Sequence, residues 1–324
     1  MNILLLSAGR RTKLIKYFKD EFNSIGKIIA VDCSKYAPAL YIADRGYLLP
    51  TINSNKYLAK LKEICINNEV NAILSLIDPE LILLAKYKKE LEAAINYSTV
   101  IVSNFDSVDI CFDKFKMYKF LLDNDFSTPK TYNNLKNFLA DYKNKNTINL
   151  PLFVKPIKGS ASIDINVIND LDILSLLLKN NQDFLLQEYL QGEEFGVDVY
   201  VDLLSKEVVS IFIKYKIKMR SGETDQAISI KDERIFTLVI DLVKKLNLVG
   251  PIDIDIFKID GEYYILEVNP RFGGGDLLAY ECGENFLRMI KNNLNGIKNK
   301  INIGNYKEGI CMMKHDDIMI KDFR

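Results

Sequence analysis

The chain has 324 residues, 43 Lys or Arg balanced by 43 Asp or Glu, one histidine (His315) and no tryptophan. Zero net charge excludes bulk electrostatic attachment to nucleic acid or an anionic membrane, since counterion release needs a net basic surface. With a single imidazole, carboxylates, lysines, arginines or a hard metal must carry any chemistry near neutral pH.

The spacing predicts a strand over 3–6, a Gly9 turn and a helix over 12–19 with Leu14, Ile15 and Phe18 on one face. Strands over 28–31, 72–76 and 99–103 alternate with helices over 57–67 and 80–91. That alternation implies a parallel sheet in a Rossmann-like α/β unit. The pattern then changes. One helix is expected over 107–124 and a polar connection over 144–150, followed by strands over 152–155, 163–168, 184–189, 195–204 and 208–218. Paired strands with single helices between them read as antiparallel α+β architecture. A helix over 232–246 leads to strands 252–259 and 263–268, a hairpin turning at Asp260-Gly261. The Lys/Asn-rich stretch 291–300 reads as the solvated end of a last helix.

At 48% hydrophobic and 27% charged residues, the composition supports two or three packed units. The cysteines at 33, 65, 111, 282 and 311 form no CxxC pair, which points to reduced thiols. The apolar opening is too short for a signal peptide, and no run approaches the roughly 18 apolar residues of a spanning helix. A soluble, cytoplasmic protein without membrane or nucleic-acid partners is therefore expected.

The strongest chemical signal is Pro251-Ile-Asp-Ile-Asp-Ile-Phe followed by Glu267-Val-Asn-Pro-Arg271. Strand residues two apart share a face, so Asp253 and Asp255 can oppose Glu267 and Asn269 across the hairpin. No row of Lys or Arg lies nearby in sequence to neutralise these acids. An all-oxygen donor set then suits Mg²⁺ or Mn²⁺ with phosphate oxygens, although a solvated acidic strand has the same spacing. Arg271 adds a guanidinium suited to a transferring phosphoryl group. In Leu152-Phe-Val-Lys155-Pro-Ile-Lys-Gly159-Ser160-Ala-Ser162, a lysine ends an apolar strand before a small-residue loop. Such a loop offers one cation and several backbone N–H groups to polyphosphate; a surface cap reads the same way. In Gln187-Glu188-Tyr189-Leu190-Gln-Gly192-Glu193-Glu194, a strand runs through a Gly turn into the next strand. It can present backbone groups to a base and a carboxylate to a ribose, or be only an acidic turn.

In this order and at these separations the three segments resemble the ATP-grasp superfamily, most closely its carbamoyl-phosphate-synthase-like branch, starting from Phe112-Asp113-Lys114 with Leu121 and Pro129 following. The resemblance implies a Rossmann-like pre-ATP-grasp domain over 1–106 and a two-lobed ATP-grasp fold over 107–300. Within the latter, a small lid lobe covers 115–186 and a C-terminal lobe 187–300; residues 301–324 are an extension. It implies ATP and Mg²⁺ (or Mn²⁺) as cofactors. Lys114 and Lys155 would contact the nucleotide, and Gly159, Ser160 and Ser162 would form the phosphate lid. Gln187, Glu188, Tyr189 and Leu190 would line the adenine slot, with Glu194 on the ribose. Asp255, preferred over Asp253, would join Glu267 and Asn269 on the metal, Arg271 would steady the phosphoryl group, and Arg220 would meet the triphosphate. Departures are Asp164, where the lid usually ends in Gly, and Gln187 in place of the frequent adenine-side acid.

The implied activity is phosphorylation of a small carboxylate to an acyl phosphate, which an amine then attacks. The alternatives are phosphorylation of bicarbonate or carbamate and a non-catalytic nucleotide-binding module. Substrate recognition is expected from the first unit and its cleft. Arg10 sits in Gly9-Arg10-Arg11 at a helix N-terminus. Asp78 and Glu80 flank a strand end, where they could equally cap a helix. Gly274 lies in the glycine run after Arg271. A homodimer is also implied.

Overall fold

A computed structural model describes residues 1–95, 98–144, 148–159, 166–179 and 183–323. Ser160, Ser162 and Asp164 lie outside the described residues.

The chain opens with β1 (Asn2–Leu6), α1 (Thr12–Phe22), β2 (Ile28–Asp32), α2 (Ala39–Ile42), β3 (Arg45–Leu48), α3 (Tyr57–Asn67), β4 (Val70–Ser75), α4 (Asp78–Ala94) and β5 (Thr99–Val100). The five strands form a parallel sheet in the order β3-β2-β1-β4-β5. β1 and β2 are buried almost throughout, the continuous apolar run that a sheet covered on both faces requires. β1 and β4 end side by side, so Ser7–Arg11 and Leu76–Asp78 share the carboxyl edge, where open α/β sheets bind ligands.

The helix expected over 107–124 is two helices, α5 (Phe105–Phe112) and α6 (Lys114–Asp123), separated by Asp113. The Asp113 backbone is extended, and its carboxylate accepts from the N–H groups of Phe115 and Lys116 at 3.1 Å each. A carboxylate cap starts a new helix at little cost, and Lys114 thereby becomes its first residue.

A four-stranded sheet follows, ordered β6-β9-β7-β8. It contains β6 (Thr131–Tyr132), α7 (Leu135–Tyr142), β7 (Leu152–Pro156), β8 (Asn166–Ile168), α8 (Leu171–Lys179) and β9 (Phe184–Glu188). Its core includes Phe138, Leu152, Val154, Leu174 and Leu186.

The third sheet has the order β14-β13-β10-β11-β12-β15. Its elements are β10 (Glu193–Val201), β11 (Val208–Arg220), β12 (Glu223–Ile230), α9 (Glu233–Lys245), β13 (Gly250–Ile259), β14 (Glu262–Asn269), α10 (Asp276–Cys282), α11 (Phe286–Leu294) and β15 (Cys311–Met313). β12 alternates polar and apolar residues weakly and had no sequence signature, while β15, from the expected extension, closes the sheet edge beside it. α11 stops at Leu294 rather than running on toward 300.

The first and third sheets share a core: Ile3, Leu5, Ile15 and Phe18 cluster with Tyr200, Phe272, Leu287 and Ile290, and the Phe18 and Phe272 rings meet edge to face at 5.9 Å. No helix among the described residues is long and apolar enough to cross a membrane.

Asp113→Ala should lower the unfolding free energy by about 1 kcal/mol, read from urea denaturation. An unchanged midpoint would show that the cap does not set the α5–α6 break.

Candidate functional site

A cleft of about 2820 Å³ runs between the three sheets, lined by residues from the first-sheet edge, β7, β9, β10, β11, β13 and β14 and by the C-terminal tail. The hairpin behaves as its alternation requires, with Asp253 opposite Asn269 and Asp255 opposite Glu267. The expectation that these acids lack nearby cations is overturned. Gly196 on β10 pairs with Lys214 on one side and Asp255 on the other. A Cβ there would come within 2.8 Å of the Lys214 Cε and 3.1 Å of the Lys216 Cε. Two lysine stems therefore pass over a bare backbone from β11 to β13. Lys216 Nζ lies 2.5 Å from Asp255 Oδ1 and 2.8 Å from Glu194 Oε1, while Lys214 Nζ lies 2.6 Å from Asp198 Oδ2 and 3.9 Å from Asp253 Oδ1. Burial pushes the Asp255 carboxyl up to about 6, with Lys216 opposing the shift. Burial also opposes the Lys216 charge, yet Asp255 and Glu194 hold its pKa above the ordinary lysine value.

Lys214, Lys216 and Asp198 had been missed. Their signal was Lys214, Lys216 and Lys218 at alternate positions after an apolar stretch of strand, which identifies a shared face without saying what that face meets.

At one end of the cleft, Lys155 on β7 is buried. Burial lowers its ammonium to about 8, against the pull of Glu267 and with repulsion from Lys114. Lys114 Nζ donates to the Gly159 carbonyl at 2.6 Å and lies 3.4 Å from Glu267 Oε1. Lys114, Lys155, Gly159 and Glu267 are thus brought together from three elements. Gln187 is buried, its amide donating to Thr131 Oγ1 at 2.8 Å, and Glu188 accepts from the Lys130 N–H at 3.1 Å. Both line the cleft with Tyr189, Leu190 and Glu194.

At the opposite end Arg271 is held between elements far apart in sequence. Its Nη2 lies 3.1 Å from Asp78 Oδ2 and its Nη1 3.2 Å from Asp253 Oδ2. Burial works against the guanidinium charge, and the two acids more than restore it. Arg10 is exposed at the cleft. Its neighbour Arg11 turns inward and donates to the carbonyls of Phe272 at 3.3 Å and Gly273 at 2.6 Å. Gly274 lines the cleft beside Glu223.

Glu80 requires a correction. It is 1% exposed, outside the cleft lining, and accepts from Ser7, Ser75 and Tyr57. On α4 it points from the first turn back under the sheet edge, where Ser and Tyr hydroxyls satisfy it, so the structure does not bring it into the cleft with the other expected substrate residues.

Arg220 is half-exposed and engaged by Asp225 at 2.9 Å and by Asp316 of the tail at 3.1 Å. The tail continues past Lys314, which pairs with Glu223 at 3.1 Å, to Phe323, which packs edge-on against Tyr36 and Tyr41 of the first unit. The expected extension therefore roofs the cleft, with His315 exposed on its rim.

Residues 111–275 match the family model of the ATP-grasp domain, half the chain, and residues 3–98 match that of a PylC-like N-terminal domain. The chain belongs to the ATP-grasp family. This ATP-grasp protein is 27% identical over 305 residues to the carbamoyl-phosphate synthase of Methanobrevibacter smithii, covering 89% of this chain and 79% of that one. To the D-alanine–D-alanine ligase of Bacillus anthracis it is 24% identical over 241 residues, 68% of this chain and 79% of the relative. In fold it is similar to N5-carboxyaminoimidazole synthetase from Staphylococcus aureus complexed with ADP, with a TM-score of 0.73 at 14% identity, covering 93% of this chain and 79% of that one.

An ATP-grasp site implies a divalent cation. Among the described residues no three His, Cys, Asp or Glu side chains converge on one point. The donors nevertheless fit a hard ion. Asp255 and Glu267 face each other across the hairpin, and the Asn269 amide, buried at 6% exposure, makes no side-chain hydrogen bond among the described residues. Two carboxylates and an amide oxygen are a Mg²⁺ donor set.

The lowered Lys155 gives a pH signature. Triphosphate favours the charged ammonium, so ATP affinity should be highest below about pH 8 and weaken by up to about tenfold per pH unit above it. Calorimetric titration across this range checks it, and Lys155→Met should bind weakly with this limb removed.

Proposed function

We propose that this ATP-grasp protein is an ADP-forming carboxylate–amine ligase. A carboxylate oxygen of a small acid attacks the γ-phosphorus of ATP, and the bond to the bridging oxygen breaks so that ADP leaves with the electron pair. An amine then attacks the acyl carbon, forming a C–N bond and expelling phosphate. The observation that carries this reading is one cleft that joins the buried Lys155 and Lys114 at one end to the buried Arg271 at the other, with the Asp255–Glu267–Asn269 donors between.

The first step needs no side-chain base, since a carboxylate is ionised at pH 7; it needs positioning and charge neutralisation. Lys155 and Lys114 hold the phosphates, and Arg271 fixes the transferring phosphoryl group while Asp78 and Asp253 keep its guanidinium in place. Asp255, Glu267 and Asn269 would hold Mg²⁺, which would supply charge neutralisation for the phosphate oxygens, and Lys216 would then turn away from Asp255. Glu194 on the ribose requires the same release. Arg220 reaches triphosphate only when Asp316 lets it go, so its part is tied to the tail. Adenine recognition falls to Gln187, Glu188, Tyr189 and Leu190, and Arg10, Gly274 and Asp78 are the substrate-side surface. The ADP complex of the Staphylococcus aureus synthetase and the D-alanine–D-alanine ligase from Bacillus anthracis support this reading.

The match to a carbamoyl-phosphate synthase favours bicarbonate or carbamate as the second reading. ADP release with ATP·Mg²⁺ and a mixture of L-amino acids, compared with bicarbonate plus ammonia, separates the two. Nucleotide binding with no acceptor-dependent ADP release would indicate a non-catalytic module, a role at odds with the complete donor and cation set. Five free cysteines and dependence on ATP support a cytoplasmic location. The homodimer implied by the family is checked by light scattering.

Arg271→Ala should lower kcat by about 10³- to 10⁵-fold, the range of phosphoryl-stabilising arginines, with ATP binding largely retained in calorimetry. Full activity would remove Arg271 from the mechanism.

A further inference from the structure

The second half-reaction has a requirement that the phosphoryl-transfer groups do not meet. A primary amine arrives at neutral pH as an ammonium ion, and it must lose a proton before its nitrogen can attack. Among the described residues the cations around the Arg271 end are committed: Arg271 to Asp78 and Asp253, Lys214 to Asp198, and Arg11 to the Phe272 and Gly273 carbonyls. Asp276 is not. It opens α10 just past the glycine run, is 8% exposed and lines the cleft, and neither of its oxygens accepts a hydrogen bond or forms an ion pair with a described residue. A carboxylate this buried normally has a partner, and here the open side is the cleft where the acyl phosphate forms.

We propose that Asp276 seats the incoming primary amine as its ammonium ion and accepts its proton, serving as the catalytic base of amide formation. This rests on the ligase reading above. One N–H proton passes to the Asp276 carboxylate, and the freed nitrogen pair attacks the acyl carbon. The C–N bond forms as the acyl C–O bond breaks, phosphate leaves with that pair, and the second proton on nitrogen goes to the departing phosphate. The product is a neutral amide.

The groups facing Asp276 are Arg11 at the head of α1, Asp198 on β10, Lys214 on β11, Asp253 on β13 and Tyr17 on α1. Burial raises the Asp276 carboxyl to about 7, Arg11 and Lys214 opposing the shift and Asp198 and Asp253 adding to it. A base of that strength is half ionised at neutral pH, where a proton acceptor is most effective. Only the ionised form accepts, so amide formation rises with pH through about 7.

Hydroxylamine separates the two half-reactions, because it is uncharged at neutral pH and traps an acyl phosphate as the hydroxamate without needing a base. The enzyme is given ATP, Mg²⁺ and a mixture of L-amino acids that supplies both carboxylates and amines, with or without hydroxylamine. In Asp276→Asn the ratio of amine-dependent product to hydroxamate should fall by about 10²-fold or more, the lower end for a general base. The ascending limb near neutral pH should vanish, and Asp276→Glu should restore part of both. Hydroxamate made by Asp276→Asn also certifies its fold. Equal loss of both products, or a retained ascending limb, overturns the role of Asp276. Absence of hydroxamate from the unaltered enzyme overturns the ligase reading instead, and the inference falls with it.

Discussion

The Arg271 guanidinium, clamped between Asp78 of the first unit and Asp253 of the β13–β14 hairpin, is the contact on which the site depends. Removing a guanidinium from water costs several kcal/mol, and two carboxylates at 3.1 and 3.2 Å offset that cost. The two acids come from different sheets, so satisfying the charge fixes the parallel-sheet edge against the hairpin. Phe18 and Phe272 pack beside the same junction, and Arg11 fastens the following loop by its carbonyls. The electrostatic link therefore sits where the two units share a hydrophobic core, and water cannot easily replace either partner. Loss of both carboxylates would leave the buried guanidinium unpaired, which is more damaging than loss of the whole cluster.

Around this clamp the acids of the cleft are met by lysines from neighbouring elements. Lys216 covers Asp255 and Glu194, Lys214 covers Asp198, and Lys114 approaches Glu267. On the proposed reading, binding a nucleotide and a cation would exchange one set of ion pairs for another rather than create charge in a dry pocket. On the proposed reading the clamped Arg271 and the buried Lys155 would face developing negative charge with little rearrangement of their own, which is where electrostatic catalysis gains most. Gly196 leaves both lysine stems room, since a Cβ there would come within 2.8 Å of the Lys214 Cε and 3.1 Å of the Lys216 Cε and both would have to shift.

Much of this was legible beforehand. The β/α alternation, the hairpin turning at Asp260-Gly261 and the segments around Lys155, Gln187 and Glu267 follow from local rules: period-two strands, a Gly turn, a lysine ending an apolar run. Other features were hidden because their causes are not local. Asp113 looked like one more helical residue until its carboxylate was seen capping the next two N–H groups. β12 and β15 lack the alternation of a half-buried strand, and pairing with neighbours makes them strands. Glu80 carried the same acidic signal as Asp78, and only the strand ends around it distinguish a residue bonded to Ser7, Ser75 and Tyr57 from one bonded to Arg271.

The sequence by itself determined the chemistry available: hard oxygen donors on one hairpin face, lysines and arginines for phosphate, and no imidazole to rival them. It determined this because side-chain identity and the two-residue period of a strand survive without a partner. The tertiary structure alone decided which charge meets which. Lys214 and Lys216 reach Asp198, Asp255 and Glu194 through the register of β10, β11 and β13, while Asp276 forms no ion pair with a described residue. The strand pairings depend on alignments spanning tens of residues, where a shift of one position turns every side chain to the other face.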